Sequence, residues 1–209
     1  MSEQRQEVYF ITGNKSKFEE ASLILKEAVS SAGINLVQKD LKVEEPQVLD
    51  PEKVVKAKAE AAFKQLGSPI MCDDTAIFFE AYPNFPGTLT KFVFQSLGFR
   101  GVEKILQGVK RGAYFQTLVC YKDSEQCLVF KGVWKGTITN NISSMFNPDW
   151  QYNSIFIPEG FNIPLAELSM EERAKHSHRK KALEQFAQFL INRNNQMNNK
   201  NEVLVKCTS

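Results

Sequence analysis

Cysteine is sparse in this chain and poorly spaced for any framework. Cys72, Cys120, Cys127 and Cys207 form no CxxC pair, which argues against a zinc site or disulfide scaffold and for reduced, mostly structural thiols. Long apolar runs are missing too, and nothing approaches the roughly 18 residues of a membrane span. Residues 1–7 are polar and charged, with no apolar signal-peptide core behind them, so the expected address is cytosolic. An excess of one charge sign is also absent. The formal net charge of +2 is too small for a nucleic-acid coat or a membrane surface, so any phosphate must be held by local groups.

What remains is an ordinary globular composition, 43% hydrophobic and 24% charged over 209 residues. Such a chain buries a real core in one or two closely packed domains. Residues 8–11 read as a short buried strand, followed by the Gly13-Asn14 turn and a helix carrying Phe18, Ala21, Leu25 and Ala28. A second strand is expected at 34–41, then the acidic loop Glu44-Glu45-Pro46-Gln47. Asp50 and Pro51 then suit the cap and first turn of an Ala-rich helix reaching residue 66. Residues 69–75 read as a strand ending in Asp73-Asp74, and 92–97 and 102–106 as helices. Residues 113–121 and 127–134 alternate as paired strands around a polar turn. Residues 169–192 read as helix, broken near His176-Ser177. The order argues for a mixed α/β sheet with helices around it. Residues 1–193 make one domain, and the Asn- and Lys-rich tail from 194 is expected to be mobile.

Three clusters carry candidate chemistry. A strand running into Thr12-Gly13-Asn14-Lys15-Ser16-Lys17 and a helix makes a sensible anion site. Glycine lets the backbone approach, free N–H groups point at the anion, and Lys17 adds charge one turn in. An ordinary strand-to-helix turn with solvated lysines explains the segment equally well, and it is not the GxxxxGK[ST] loop. Asp73 and Asp74, followed by Thr75, place carboxylates where burial is costly without a cation. Mg²⁺ shared with phosphate oxygens fits, with Glu44, Glu45 and Glu52 as further oxygens, although a plain capping role also fits. Arg173, His178 and Arg179, with Ser177 as a helix cap, could read base carbonyls or phosphates. The surrounding lysines allow a merely solvated basic face.

In order and spacing these clusters resemble the inosine triphosphatase-like pyrophosphatases of non-standard purine nucleotides, over roughly residues 8–190. Thr12-Gly13-Asn14-x-x-Lys17 resembles that family's signature loop, Glu45-Pro46-Gln47 its metal-binding segment, and Asp73-Asp74-Thr75 its acidic strand. Phe85-Pro86-Gly87 with Lys91 resembles its second phosphate-binding loop. Phe130-x-Gly132-x-x-x-Gly136-x-Ile138 is similar to its sheet-turning segment, and Ser177-His178-Arg179 to its base-recognition motif. The resemblance implies an elongated mixed β-sheet flanked by helices, with two lobes around a central nucleotide-binding cleft, in a homodimer. It implies hydrolysis of ITP, dITP and XTP to the monophosphate and pyrophosphate with Mg²⁺.

By the same resemblance Glu45 and Asp74 hold the metal, and Asp74, alone or together with Asp73, activates water. Lys17, Asn14 and Lys91 stabilise the triphosphate, alongside Thr12, Gly13, Lys15 and Thr75. The base falls to Trp150, Asn153, Arg173, Ser177, His178 and Arg179. Three positions depart from the family pattern. Asn153 stands for its Asp, Arg173 for its Lys, and Ala57, flanked by Lys56 and Lys58, for a further Lys. Asn both donates and accepts where Asp only accepts, so a relaxed or shifted base preference is expected. A nucleotide-binding pseudoenzyme, or a pyrophosphatase for other modified or pyrimidine nucleotides, are the alternative functions.

Overall fold

The computed structural model describes residues 5–207, with side chains described through 196 except that of Asp149. The first four residues, and the side chain of Cys207, lie outside that description. Strand β1 (Gln6–Ile11) leads into helix α1 (Lys15–Ser31), then β2 (Ile34–Lys39) and α2 (Pro51–Leu66). Next come β3 (Ile70–Phe79), the short β4 (Pro86–Gly87), α3 (Thr90–Ile105), β5 (Gly112–Lys122) and β6 (Cys127–Ile138). A 3₁₀ segment (Pro148–Ser154), β7 (Phe156–Pro158), α4 (Met170–His176) and α5 (His178–Cys207) complete the chain.

The seven-stranded sheet runs β2-β1-β3-β5-β6-β7, with β4 on β3. β1 is parallel to both neighbours, whereas β3 onward is antiparallel. This is the mixed sheet flanked by helices that the sequence predicts. β3 differs from expectation in length. It does not stop at Asp73-Asp74 but continues to Phe79, paired throughout with β5. Its pairing with β1 covers only Ile70 and Met71. The carboxylates therefore lie mid-strand, just past the point where β1 turns away. Ligands favour such a switch point in open α/β sheets, because diverging loops leave a crevice there.

Local chemistry sets several boundaries. Asn14 caps α1 by accepting from Lys17 N at 3.1 Å, and Asp50 caps α2 by accepting from Glu52 N at 3.0 Å, with Pro51 in the first turn. The two helices expected at 92–97 and 102–106 form one element, α3, broken at Gly98, whose φ of 58° suits only glycine comfortably. The break near His176-Ser177 is present. α4 ends there, and Ser177 Oγ accepts from Lys180 N at 3.0 Å to start α5. That helix continues through 194–201, where composition predicts a mobile tail. Arg193 Nη1 donates to Asp123 Oδ2 at 2.6 Å and Asn194 Nδ2 to Ser31 O at 3.0 Å, anchoring the helix into that segment.

Three apolar clusters flank the sheet. Val8, Leu25, Val119 and Phe186 bury α1 and α5 against one face. Val55, Ala59, Ile70 and Cys120 bury α2 against the other. Phe79, Phe94, Phe115, Trp134 and Phe156 form a third core at the far end of the long strands, under α3. Cys72 and Cys120 are buried free thiols, and Cys127 is half-buried and free, as the spacing implies.

Candidate active site

Successive side chains on a strand face opposite ways, and this separates the two aspartates. Asp73 points toward α1 and α5, where its oxygens accept from Lys17 Nζ at 2.9 Å and Arg179 Nε at 3.0 Å. Asp74 faces a cleft of about 580 Å³ that also carries Asn14, Lys17, Glu45, Lys58 and Lys91. Beside it lies a second cavity of about 330 Å³, walled by Glu20, Arg173, Ser177, His178 and Arg179. Trp150 and Asn153 belong to both walls.

The paired environments push the two carboxyls in opposite directions. Burial opposes charge on Asp73, but Lys17 and then Arg179 outweigh it and hold the carboxyl well below its usual range. For Asp74 burial is the largest influence. Lys17 and Lys58 offset it only in part, Glu45 and Asp73 add to it, and its pKa is raised. Asp74 is thus a carboxylate short of positive charge. Lys58 reaches Glu45 Oε1 at 2.7 Å. Burial disfavours its ammonium, yet Glu45 and Asp74 together keep it firmly protonated.

The second cavity rests on buried cations. Arg179, 2% exposed, donates to Asp73, to Glu20 and to Thr75 Oγ1, and its guanidinium lies 4.8 Å from the centre of the Trp150 ring. Such stacking favours a desolvated cation. Burial first, and then Glu20 and Asp73 in opposition to it, leave Arg179 more firmly protonated than usual. His178 Nδ1 lies 2.6 Å from Thr117 Oγ1, and Phe115 stacks on its ring at 5.1 Å. Burial, helped by Arg179, lowers the imidazole pKa well below its ordinary value, so the ring is neutral. Arg173 Nη2 donates to Ala166 O at 2.8 Å. Its buried Nε has no partner among the described residues, and burial depresses its pKa against the pull of Glu20.

Packing of β6 against α5 sets the position of His178. A Cβ on Gly132 would lie 1.9 Å from His178 O and 2.7 Å from Ala182 N. Only glycine lets the helix start come this close to the strand.

The structure brings together Asn14, Lys17, Glu45, Asp74, Thr75 and Lys91 on one wall, and Arg173, Ser177, His178 and Arg179 on the other. Others fall outside. Thr12 Oγ1 accepts from Asn14 N at 3.1 Å, and Thr12 and Gly13 shape the loop without lining either cavity. Lys15, expected to bind substrate, turns away: its side chain is 84% exposed and lies 3.8 Å from Glu19. Asp73 is sealed beneath the cleft rather than lining it. Lys58 supplies the cation that Ala57 lacks, while Lys56 pairs with Glu52 in solvent.

Glu20 and Thr117 carried no motif. Glu20 sits three residues after Lys17, hence on the same helix face, and that spacing was its one signal. Thr117 is opposite Thr75 only through sheet register. Among the described residues no three His, Cys, Asp or Glu side chains gather as a metal cage. Glu45 and Asp74 line the same cleft and are the carboxylates there that could hold a Mg²⁺ ion, which takes one or two carboxylates and completes its shell with phosphate oxygens and water.

Comparison with known proteins identifies the family. The Ham1 family model matches residues 8–189. A dITP/XTP pyrophosphatase of Saccharolobus solfataricus is 36% identical over 86% of this chain and 91% of its own. An inosine triphosphate pyrophosphatase of Yarrowia lipolytica is 36% identical over 88% of this chain and 95% of its own. A HAM1 protein from Coxiella burnetii has a similar structure, with a TM-score of 0.74 at 25% identity, covering 88% of this chain and 98% of that one. With the match spanning both walls of the site, the chain belongs to the Ham1 family.

Proposed function

We propose that this protein is a Mg²⁺-dependent pyrophosphohydrolase that converts non-standard purine nucleoside triphosphates (ITP, dITP and XTP) to the monophosphate and pyrophosphate. One observation carries the reading: a lysine-and-carboxylate cleft adjoins a cavity built on His178, Arg179 and Trp150, with Asp73 bonded to a cation of each. The first suits a triphosphate and the second a base offering carbonyl acceptors. The dITP/XTP and inosine triphosphate pyrophosphatases to which the chain is similar support the same reaction.

In this reading Asp74 takes the proton of the water that attacks the α-phosphorus, while the bond to the β-phosphate oxygen breaks and pyrophosphate leaves. Its raised pKa suits a general base. Asp73 is already engaged by Lys17 and Arg179, so it is a positioning carboxylate and not a second base. Lys17 and Lys91 face the charge that spreads over the phosphates. Mg²⁺, held by Glu45 and Asp74, would neutralise phosphate charge and make water more acidic.

Asn153 and Arg173 mark a base site altered from the family pattern, and we assign it a broader base preference. A homodimer and a cytosolic address belong to the proposal as well. Among the described residues no helix is long and apolar enough to cross a membrane. A panel of dITP, XTP, dGTP, dATP and dUTP with pyrophosphate detection in Mg²⁺ tests the activity. Binding without pyrophosphate release from any of them would replace the enzyme with a sensor. Light scattering on the full chain tests the dimer.

A further inference from the structure

The hydroxyls of Thr75 and Thr117 form a chain that ends on the ring of His178. The two threonines are direct partners across β3 and β5, so their side chains share one face. Their oxygens lie 2.7 Å apart, and Thr117 Oγ1 lies 2.6 Å from His178 Nδ1. At the other end Arg179 Nη2 donates to Thr75 Oγ1 at 3.4 Å. Thr117 and His178 are both buried, which keeps water from the contact between them.

Each hydroxyl owns a single proton, and a guanidinium only donates. Thr75 therefore accepts from Arg179, and its own proton finds an acceptor in Thr117 Oγ1. The Thr117 proton is then directed at His178 Nδ1. In the opposite polarity Nδ1–H would donate toward Thr117 and Thr117 toward Thr75. Thr75 would then face two donors and turn its proton to the open cleft that it lines, whereas the first polarity pairs every proton of the chain within the protein. Because the imidazole is neutral, it holds one proton, and this chain decides which nitrogen carries it.

We propose that Thr117 is a positioning residue that fixes His178 as the Nε2–H tautomer, so that His178 offers the second cavity a hydrogen-bond donor and selects a carbonyl over an amino group there. The inference deepens the nucleotide reading above and rests on it for the ligand. A 6-keto purine presents an acceptor to that donor. A 6-amino purine sets N–H against N–H and leaves both unpaired in a site shielded from water.

Nitrogen-15 histidine spectra of the unliganded full chain read the tautomer directly. His178 should show an unprotonated Nδ1 and a protonated Nε2. Thr117→Val, which keeps the side-chain shape, should give a tautomer mixture, and Thr117→Ser should restore the single form. The ratio of kcat/KM for ITP over ATP should fall about tenfold in Thr117→Val, the scale of one lost hydrogen bond, and return in Thr117→Ser. A protonated Nδ1 in the parent chain overturns the proposal, as does a valine variant that keeps both tautomer and ratio. If the valine variant does not fold, the parent spectrum still decides. An Nε2–H ring in a chain that hydrolyses no nucleotide would support the relay and sink the proposed reaction instead.

Discussion

Asp73 receives Lys17 Nζ on one oxygen and Arg179 Nε on the other, at 2.9 Å and 3.0 Å. One buried carboxylate thus joins the cation of the phosphate cleft to the cation of the neighbouring cavity. Asp74, one residue on, faces away into the cleft.

Replacing Asp73 with Asn should destabilise the fold by about 3 kcal/mol, because it leaves two cations without their carboxylate. The pH dependence has a definite sign. A carboxyl held below its usual range adds stability above its unfolded pKa of about 4, and that stability is lost as the pH falls toward the folded value. Urea denaturation from pH 7 to pH 3 should show the parent weakening across the acid range and the Asn variant much less so.

Asp74→Asn should behave in the opposite way. Its carboxyl is raised by burial, so the charged form costs stability above the folded pKa and that cost vanishes as the group protonates. The unliganded variant should melt at the same temperature or higher at pH 7, while kcat falls by at least about 10³, as expected for loss of a general base. A variant retaining most of its rate would show that Asp74 is not the base.

Lys58→Ala removes a cation that lowers the Asp74 pKa and pairs with Glu45. The acid limb of the kcat/KM profile should therefore move to higher pH. An unmoved limb would detach Lys58 from the reacting carboxylate.

Gly132→Ala tests the docking of α5 on β6. The new Cβ meets backbone atoms of His178 and Ala182, which cannot rotate aside, so the helix start must shift. A loss of about 2 kcal/mol in stability is expected from such overpacking. Base preference should weaken more than the affinity for inorganic pyrophosphate, measurable by calorimetry.

Asn153→Asp restores an acceptor-only side chain at a wall shared by both cavities. The nucleotide panel should narrow toward 6-keto purines, whose N1–H needs an acceptor. Unchanged ratios would mean that Asn153 does not read the base.

Much of this protein was legible from local chemistry. The Asp50 cap, the Pro51 helix start and the break at Ser177 depend on neighbours a few residues away, so the chain order displays them. The end of β3 was misread because two adjacent aspartates resemble a strand terminus. Only pairing with β5 shows that the strand continues, with each carboxylate compensated from another element. The placements of Lys15 and Lys58 escape local reading for a related reason. The sequence shows that a lysine is near a motif, but the helix face it occupies and the partner across the cleft decide whether it enters the site.

By itself the sequence determined the chemical inventory and its order: a glycine turn with Lys17, an acidic loop, two aspartates, and Ser177-His178-Arg179. The tertiary structure decided their division of labour. Strand alternation fixes Asp73 and Asp74 on opposite faces, but only packing shows that one face carries Lys17 and Arg179 while the other opens to the cleft. Burial then magnifies that difference, because a carboxylate removed from water depends wholly on the charges beside it. The same holds for Thr117, an ordinary strand residue in sequence. Its hydroxyl acquires a role only where sheet register brings Thr75 to one side of it and helix docking brings His178 to the other.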